Sequence, residues 1–373
     1  MFEESCQLPI ALGFSKIGTN ELHSVSYIRQ RLDVLSELSM FGRVFIDTSP
    51  IYGNGFSEVV LGNFLASTTE RYFVATKYYP DDDATAKNVV SSIEASLSRL
   101  RIDKVDLIQL HWPNPRADMR EVIEGLNILY EQGKIGGLGT CNFSQTEVLD
   151  LAQIWPRELI TNQQEINLNN IGSNQEYLDP TGARTMSYGS LIQGRLAFSQ
   201  VQRNFIKKVA SEINLTPAAI TLKILSLLEP EIIPILKISS VKHLHELIIG
   251  LQHELEESIL NDFNQIEKLK IKYIDPKLIK LIGDKTRNPY LSVEDALRNS
   301  LQLFPSPSSL AERIKIFNLV LPIKVCPLPD GFYEIDSEDP FDQLKKYWAW
   351  LIAYPDSKIP AVIFESRMDL ISE

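Results

Sequence analysis

The stretch VFIDTSPIYGNGFSE, residues 44–58, passes from three apolar, strand-forming residues to Asp47 and then into a turn-rich loop that carries Tyr52. Two further stretches end in the same way. YFVATK, residues 72–77, closes on Lys77, and VDLIQLHWP, residues 105–113, reaches His111 before Trp112 and Pro113. Short continuous apolar runs mark parallel strands buried on both faces, and α/β folds keep their chemistry at the carboxyl ends of such strands. Taken singly, each polar residue has a structural explanation: Asp47 as a turn or helix cap, Lys77 as a surface lysine, Tyr52 as a packing residue, His111 as a satisfied core histidine. An acid, an ammonium and an imidazole at three strand ends, with a tyrosine shortly after the acid, favour one shared site.

Working outward, eight strand-like runs alternate with helix-length segments: LPIALG, VFID, YFVATK, VDLIQLH, IGGLGT, LITNQQ, RTMSYG and EIIPILK. Between them lie amphipathic stretches such as AKNVVSSIEASLSRLRI, residues 86–102, in which Val89, Ile93, Leu97 and Leu100 recur at helical spacing. Strand and helix alternation implies parallel strands joined by right-handed crossovers, and eight such units close a (β/α)8 TIM barrel. Gly53, Gly55 and Gly133 punctuate turns.

The chain has 373 residues, 44% of them hydrophobic, enough for a barrel of about 250 residues and a smaller second unit. A barrel over residues 1–272 and a small α+β domain over 273–373 are expected. A formal charge of −11 disfavours general binding to nucleic acid, which needs clustered Lys and Arg. No apolar run is long enough to span a membrane, and MFEESCQLPIALG lacks the basic start of a secretory signal, so a cytoplasmic protein is expected. Cys6, Cys141 and Cys326 are too few and too scattered for a disulfide framework or a zinc site, and no metal is expected.

The segments DTSPIYGNGFSEVVLG, VATK, SLSRLRIDKVDLIQLHWP, GKIGGLGTCNFS, TNQQEINL and SYGSLIQGRL resemble, in order and spacing, the motifs of the aldo-keto reductases over about residues 7 to 260. The resemblance makes Asp47, Tyr52, Lys77 and His111 a catalytic tetrad with none substituted. It implies reduction of an aldehyde or ketone, or the reverse oxidation, with a small carbonyl compound as substrate. Tyr52 would donate the proton while a nicotinamide supplies hydride. Lys77 would ease loss of the tyrosine proton, Asp47 would keep Lys77 an ammonium, and His111 would polarise the carbonyl.

The same resemblance implies a nicotinamide site, with NADPH expected and NADH as the alternative. Asn142 and Gln163 would hydrogen-bond the carboxamide, Tyr188 would stack on the ring, and Gly189 and Leu191 would follow in the same segment. Cys141 stands where serine is frequent, and a buried inert thiol is favoured there over a redox role. The loop after Tyr188 runs almost directly from Gly194 into a helical segment, so the part that would cover the cofactor is short. At the adenosine end, Lys237, Ser239, Ser240, Lys242 and Glu246 are available, but His243 occupies the usual arginine position and Leu247 a frequent asparagine position. Imidazole cannot make the bidentate phosphate contact of a guanidinium.

Beyond the barrel, IKVCPLPDGFYEID followed by DPFDQLKKYWAWLIAYPDSKIPAVIFE has the order of a ParB/sulfiredoxin-like domain, a weaker resemblance over about fifty residues. Its phosphate-binding turn is replaced by Asp336, Ser337, Glu338, Asp339 and Pro340, whose carboxylates would repel a phosphate. Residues 261–373 carry 15 Lys and Arg against 17 Asp and Glu, which again disfavours DNA. The aromatic segment KKYWAWLIAY reads either as a face for a protein partner or for self-association, or as packing on its own small sheet, the latter favoured by its helical spacing. The tail could also help shape the substrate pocket. The rival to an enzyme is a barrel retained in a regulatory or assembly subunit that acts through this tail.

Overall fold

The computed structural model describes residues 10–15, 17, 24–168, 171, 180–191, 200–266, 272–274, 276–280, 311, 323–328, 333–335, 340–355 and 357–363. Cys6, Gly194 and the acidic turn 336–339 lie outside these residues. Two compact units emerge, the first drawn from residues up to Asn264 and the second containing Gln265 onward.

The first unit is a closed barrel of eight parallel strands: β1 (Ala11–Gly13), β2 (Phe45–Asp47), β3 (Phe73–Tyr78), β4 (Leu107–Leu110), β5 (Leu138–Cys141), β6 (Leu159–Glu165), β7 (Arg184–Tyr188) and β8 (Ile233–Leu236). Each falls on one of the eight strand-like runs, and β8 pairs back onto β1 to close the ring. Among the described residues the helices of this unit are α1 (Val25–Ser39), α2 (Phe56–Leu65), α3 (Ala86–Leu100), α4 (Met119–Glu131), α5 (Gln145–Ile154), α6 (Gln200–Glu212), α7 (Pro217–Leu228), α8 (Val241–Gln252) and α9 (Glu257–Gln265).

Helix α3 shows why these segments are helical. Thr85 caps its start by accepting from Asn88 N–H, Val89, Ile93, Leu97 and Leu100 form the buried stripe, and Arg101 ends it in the left-handed region at φ 54°. The close fit of α2 against α3 depends on Gly62, where a Cβ would lie 2.2 Å from the carbonyl oxygen of Arg99. Buried Glu58 ties the same elements together: it accepts from Thr76 on β3 at 2.6 Å and pairs with Arg99 on α3 at 2.7 Å.

Alternation along the strands sorts side chains into two cores. Ala11, Phe45, Phe73, Ala75, Leu107, Met186 and Ile235 cluster in the barrel interior, while Leu12, Ile46, Val74, Ile108 and Leu110 join the layer beneath the helices. Because a strand repeats every two residues, the inward series continues from Phe45 to Asp47, from Ala75 to Lys77, and from Leu107 through Gln109 to His111. The register pairs Lys77 with Gln109 and Asp47 with Ala75. An apolar floor is thus topped by a polar layer at the carboxyl end of the barrel.

The second unit is a five-stranded mixed sheet made of β9 (Lys272–Ile274), β10 (Ile279–Lys280), β11 (Ile323–Pro327), β12 (Tyr333–Ile335) and β13 (Ile359–Ile363), in the order β10-β12-β11-β13-β9, with helix α10 (Pro340–Ala353). The strand, strand, helix, strand order read from the sequence runs through β11, β12, α10 and β13, and in the structure β12 is antiparallel and β13 parallel to β11. β9 and β10 extend the sheet beyond that pattern. The division between units falls upstream of the 272/273 boundary read from the sequence, because Lys272 already pairs with Ala361 of β13. Tyr347, Trp348 and Trp350 on α10 are buried, and the Trp350 indole N–H donates to Ser357 Oγ and to the Lys358 carbonyl. Burial of all three aromatics favours the packing reading over a partner face.

Among the described residues no helix is long and apolar enough to cross a membrane.

Candidate active site

The polar layer brings the four strand-end residues together. Lys77 Nζ lies 2.7 Å from both carboxylate oxygens of Asp47, 3.1 Å from the Thr48 carbonyl and 3.2 Å from the Tyr52 hydroxyl. The side chains of Lys77 and Asp47 are 0% and 4% exposed, so the pair is a buried one. Tyr52 reaches it from a tight loop in which Gly53, Asn54 and Gly55 all have positive φ, a conformation that glycine and asparagine tolerate best. The rings of Tyr52 and His111 meet edge to face at 5.9 Å.

Electrostatics follow from that geometry. Burial pulls the Lys77 ammonium down, but the charges of Asp47 and its other neighbours outweigh it and leave Lys77 above its ordinary value. Tyr52 is part-exposed as a residue, yet its hydroxyl sits among buried groups. Burial therefore pushes it up to about 12, with Lys77 opposing and Asp47 reinforcing the shift. The lysine acts in the expected direction, easing loss of the phenol proton, but burial is the larger effect and leaves the net shift upward. The result is a phenol that stays protonated at neutral pH beside a permanent cation.

Two residues missed in the sequence complete the cluster. Gln109 donates to Asp47 Oδ1 at 3.0 Å, and Ser49 Oγ lies 3.2 Å from His111 Nδ1. Gln109 was findable, since it lies on the inward face two positions before His111.

The residues assigned to the nicotinamide hydrogen-bond to one another and to the polar layer. The Gln163 amide N–H group turns into the barrel, donating to Asp47 Oδ1 at 2.9 Å and to Gln109 Oε1 at 3.2 Å. Its carbonyl oxygen lies 3.6 Å from Cys141 Sγ. A carboxylate can only accept, so both glutamines must present their amide nitrogens to Asp47. Asn142, held at φ 64°, donates to the His111 carbonyl at 3.1 Å and accepts from the Tyr188 hydroxyl at 2.7 Å. Burial pushes the Cys141 thiol up to about 12, in keeping with an inert thiol. Gly189 has φ 71°, and Leu191 packs against the outer core.

At the end of β8, Ser240 caps α8 by accepting from His243 N–H, and Ser239 Oγ lies 2.9 Å from His243 Nδ1. Lys237 and Lys242 are exposed, with Lys242 3.8 Å from Glu246. Leu247 is buried and turned to the core. Hydroxyls, two lysines and a helix N-terminus supply the donor chemistry that an anionic phosphate needs, so the residues present fit the phosphate end of a dinucleotide.

An eight-stranded barrel thus holds at its carboxyl end a buried Asp–Lys pair touching a tyrosine hydroxyl, with a histidine beside it. The chain belongs to the aldo/keto reductase family, whose model matches residues 9–269. It is 34% identical over 191 residues to aldo-keto reductase YhdN of Bacillus subtilis, covering 48% of this chain and 55% of that one. It is 28% identical over 225 residues to methylglyoxal reductase YeaE of Escherichia coli, covering 59% of this chain and 78% of the relative. The chain thus spans about half the length of YhdN. In structure it resembles an aldo/keto reductase from Klebsiella pneumoniae in complex with NADP and acetate, with TM-score 0.59 and 24% identity over 69% of this chain and 90% of that one.

Proposed function

We propose that the barrel is an NADPH-dependent reductase of small aldehydes or ketones, able in principle to run the reverse oxidation, with Tyr52 as the proton donor. The observation that carries this reading is the contact of the Tyr52 hydroxyl with Lys77 Nζ at 3.2 Å inside the buried Asp47 pair. A bound nicotinamide would supply hydride. Lys77 supplies fixed positive charge where the tyrosine oxygen becomes anionic on giving up its proton, and Asp47 holds that cation in place. His111, edge-on to Tyr52, donates to the carbonyl oxygen and aligns it.

Asn142 and Tyr188 stand at the nicotinamide end, and Lys237, Ser239, Ser240, Lys242 and His243 at the phosphate end. The donor set around Ser240 supports a cofactor carrying an extra phosphate, hence NADPH before NADH. Methylglyoxal, named for the Escherichia coli relative, is a sensible first carbonyl to offer.

The test is NADPH binding followed by fluorescence quenching, together with turnover on a carbonyl panel by wild type and Tyr52→Phe. Saturable binding in both proteins with turnover lost only in the variant is expected. Absence of saturable binding of NADPH and of NADH would refute the reductase reading. It would favour the second one, a barrel kept for assembly or regulation, to which the engagement of Gln163 with Asp47 and the histidine at position 243 lend weight.

A further inference from the structure

We propose that Ser49 is a positioning residue that sets the tautomer of His111, holding the imidazole proton on Nε2. The inference deepens the reading of His111 as a donor to the carbonyl and rests on it for its catalytic meaning, although the tautomer itself can be read without any turnover.

Ser49 is fully buried in the turn that follows β2. Among the described residues its hydroxyl has two hydrogen-bond neighbours, the backbone N–H of Ile51 at 3.4 Å and His111 Nδ1 at 3.2 Å. A backbone N–H can only donate, so Ile51 engages a lone pair of the serine oxygen. The hydroxyl proton then has Nδ1 as its acceptor. If Nδ1 carried a proton instead, it too would donate to Oγ, and the buried hydroxyl proton would be left without a partner, a state folded proteins avoid. A neutral imidazole carries one ring proton, which therefore resides on Nε2.

The surrounding backbone holds this arrangement still. His111 N–H donates to the Tyr78 carbonyl at 2.8 Å, and its own carbonyl accepts from Asn142 Nδ2 at 3.1 Å. The Ser49 carbonyl accepts from Tyr52 N–H at 3.1 Å, so the same residue anchors the loop that carries Tyr52 while its side chain addresses His111. One serine thus fixes the orientation of one member of the site and the backbone of another. With the proton on Nε2, His111 presents an N–H donor and not a bare lone pair, the polarity that a carbonyl oxygen requires.

The experiment is a long-range proton–nitrogen correlation spectrum of full-length protein labelled with ¹⁵N-histidine at neutral pH. The signals of His111 are identified by their loss in His111→Gln. The ring nitrogen that correlates with both ring protons and bears hydrogen should be Nε2 in wild type, and the pattern should move toward a tautomer mixture in Ser49→Ala. A parallel fall of about tenfold in kcat/KM, with NADPH binding retained, is expected for the variant. An Nδ1–H or doubly protonated ring in wild type would overturn the proposal. So would a Ser49→Ala spectrum identical to wild type, even with activity lost, since Ser49 would then act through packing alone. If wild type shows Nε2–H and responds to Ser49→Ala but reduces no carbonyl, the serine assignment stands while the reductase reading falls.

Discussion

Replacing Asp47 by Asn keeps the shape of the side chain and one acceptor oxygen while removing the charge that faces Lys77. Both carboxylate oxygens are 2.7 Å from Nζ, and neither side chain has appreciable access to water. At that separation two unit charges attract by about 6 kcal/mol at an effective dielectric of ~20, much of it offset by desolvation of the ions. Removing one partner of such a pair costs about 3–5 kcal/mol, because the remaining charge is left buried and unmatched. The sign of the pH dependence is the sharper test. In wild type the folded value of Lys77 is raised, so its contribution is fully present below the unfolded value of about 10.4 and is lost only as pH rises through the still higher folded value. Across the neutral range it is constant. Without Asp47, burial dominates and the folded value drops below the unfolded one. Between the two values the unfolded chain binds more protons, so Asp47→Asn should gain stability as pH rises. Urea unfolding followed by tryptophan fluorescence at about pH 6 and about pH 9 reads both effects. The variant midpoint should fall by about 1–2 M at the lower pH, and the gap to wild type should narrow at the higher one. A variant as stable as wild type at both pH values, or a gap that widens as pH rises, would refute the view of Asp47 as the counter-ion of a buried cation.

Because burial pushes the Tyr52 hydroxyl up to about 12, the phenol should remain protonated through the alkaline range. The reductive kcat should then show no decline assignable to tyrosine ionisation below about pH 10, while Tyr52→Phe should lower kcat by about 100-fold or more. An alkaline limb near pH 8–9 that vanishes in the phenylalanine variant would contradict this. His243→Arg should strengthen binding of NADPH by about tenfold and leave NADH unchanged, since a guanidinium can take a phosphate with two parallel hydrogen bonds where the imidazole takes one. Fluorescence titration with both nucleotides measures the ratio, and an unmoved ratio would remove the segment after β8 from the 2′-phosphate site.

The barrel was legible because its strands are largely buried on both faces, so most appear as short, mainly apolar runs, with LITNQQE of β6 and RTMSY of β7 the polar exceptions. Eight such runs with helices between them leave few topologies open. The sheet of the second unit was only partly legible. β11, β12, α10 and β13 carry strong local patterns, whereas β9 and β10 are two- and three-residue strands that exist through pairing with β13 and β12 and leave little periodic trace. The aromatics of α10 show a related ambiguity. Tyr347, Trp348 and Trp350 have the same helical spacing whether they face a partner or an interior, and burial is a property of the fold.

In the site, residue positions could be read but directions of hydrogen bonding could not. Period-two counting places Asp47, Lys77, Gln109 and Gln163 on the inner face, yet nothing in that pattern says whether the Gln163 amide reaches a cofactor or a neighbouring carboxylate. The structure has it donating to Asp47, alongside Gln109 and Lys77. This matters for the chemistry because the two amides are neutral. They both donate to Asp47 Oδ1 without adding positive charge, so Lys77 remains the single cation in the cluster of four. A second cation near Asp47 would share its charge and weaken its hold on Lys77, making deprotonation of the lysine easier. Neutral donors avoid that competition while still fixing the carboxylate in place. The proton of Lys77 is thereby kept where its field acts on the Tyr52 oxygen 3.2 Å away, and the amide layer contributes to the setting of that hydroxyl without touching it.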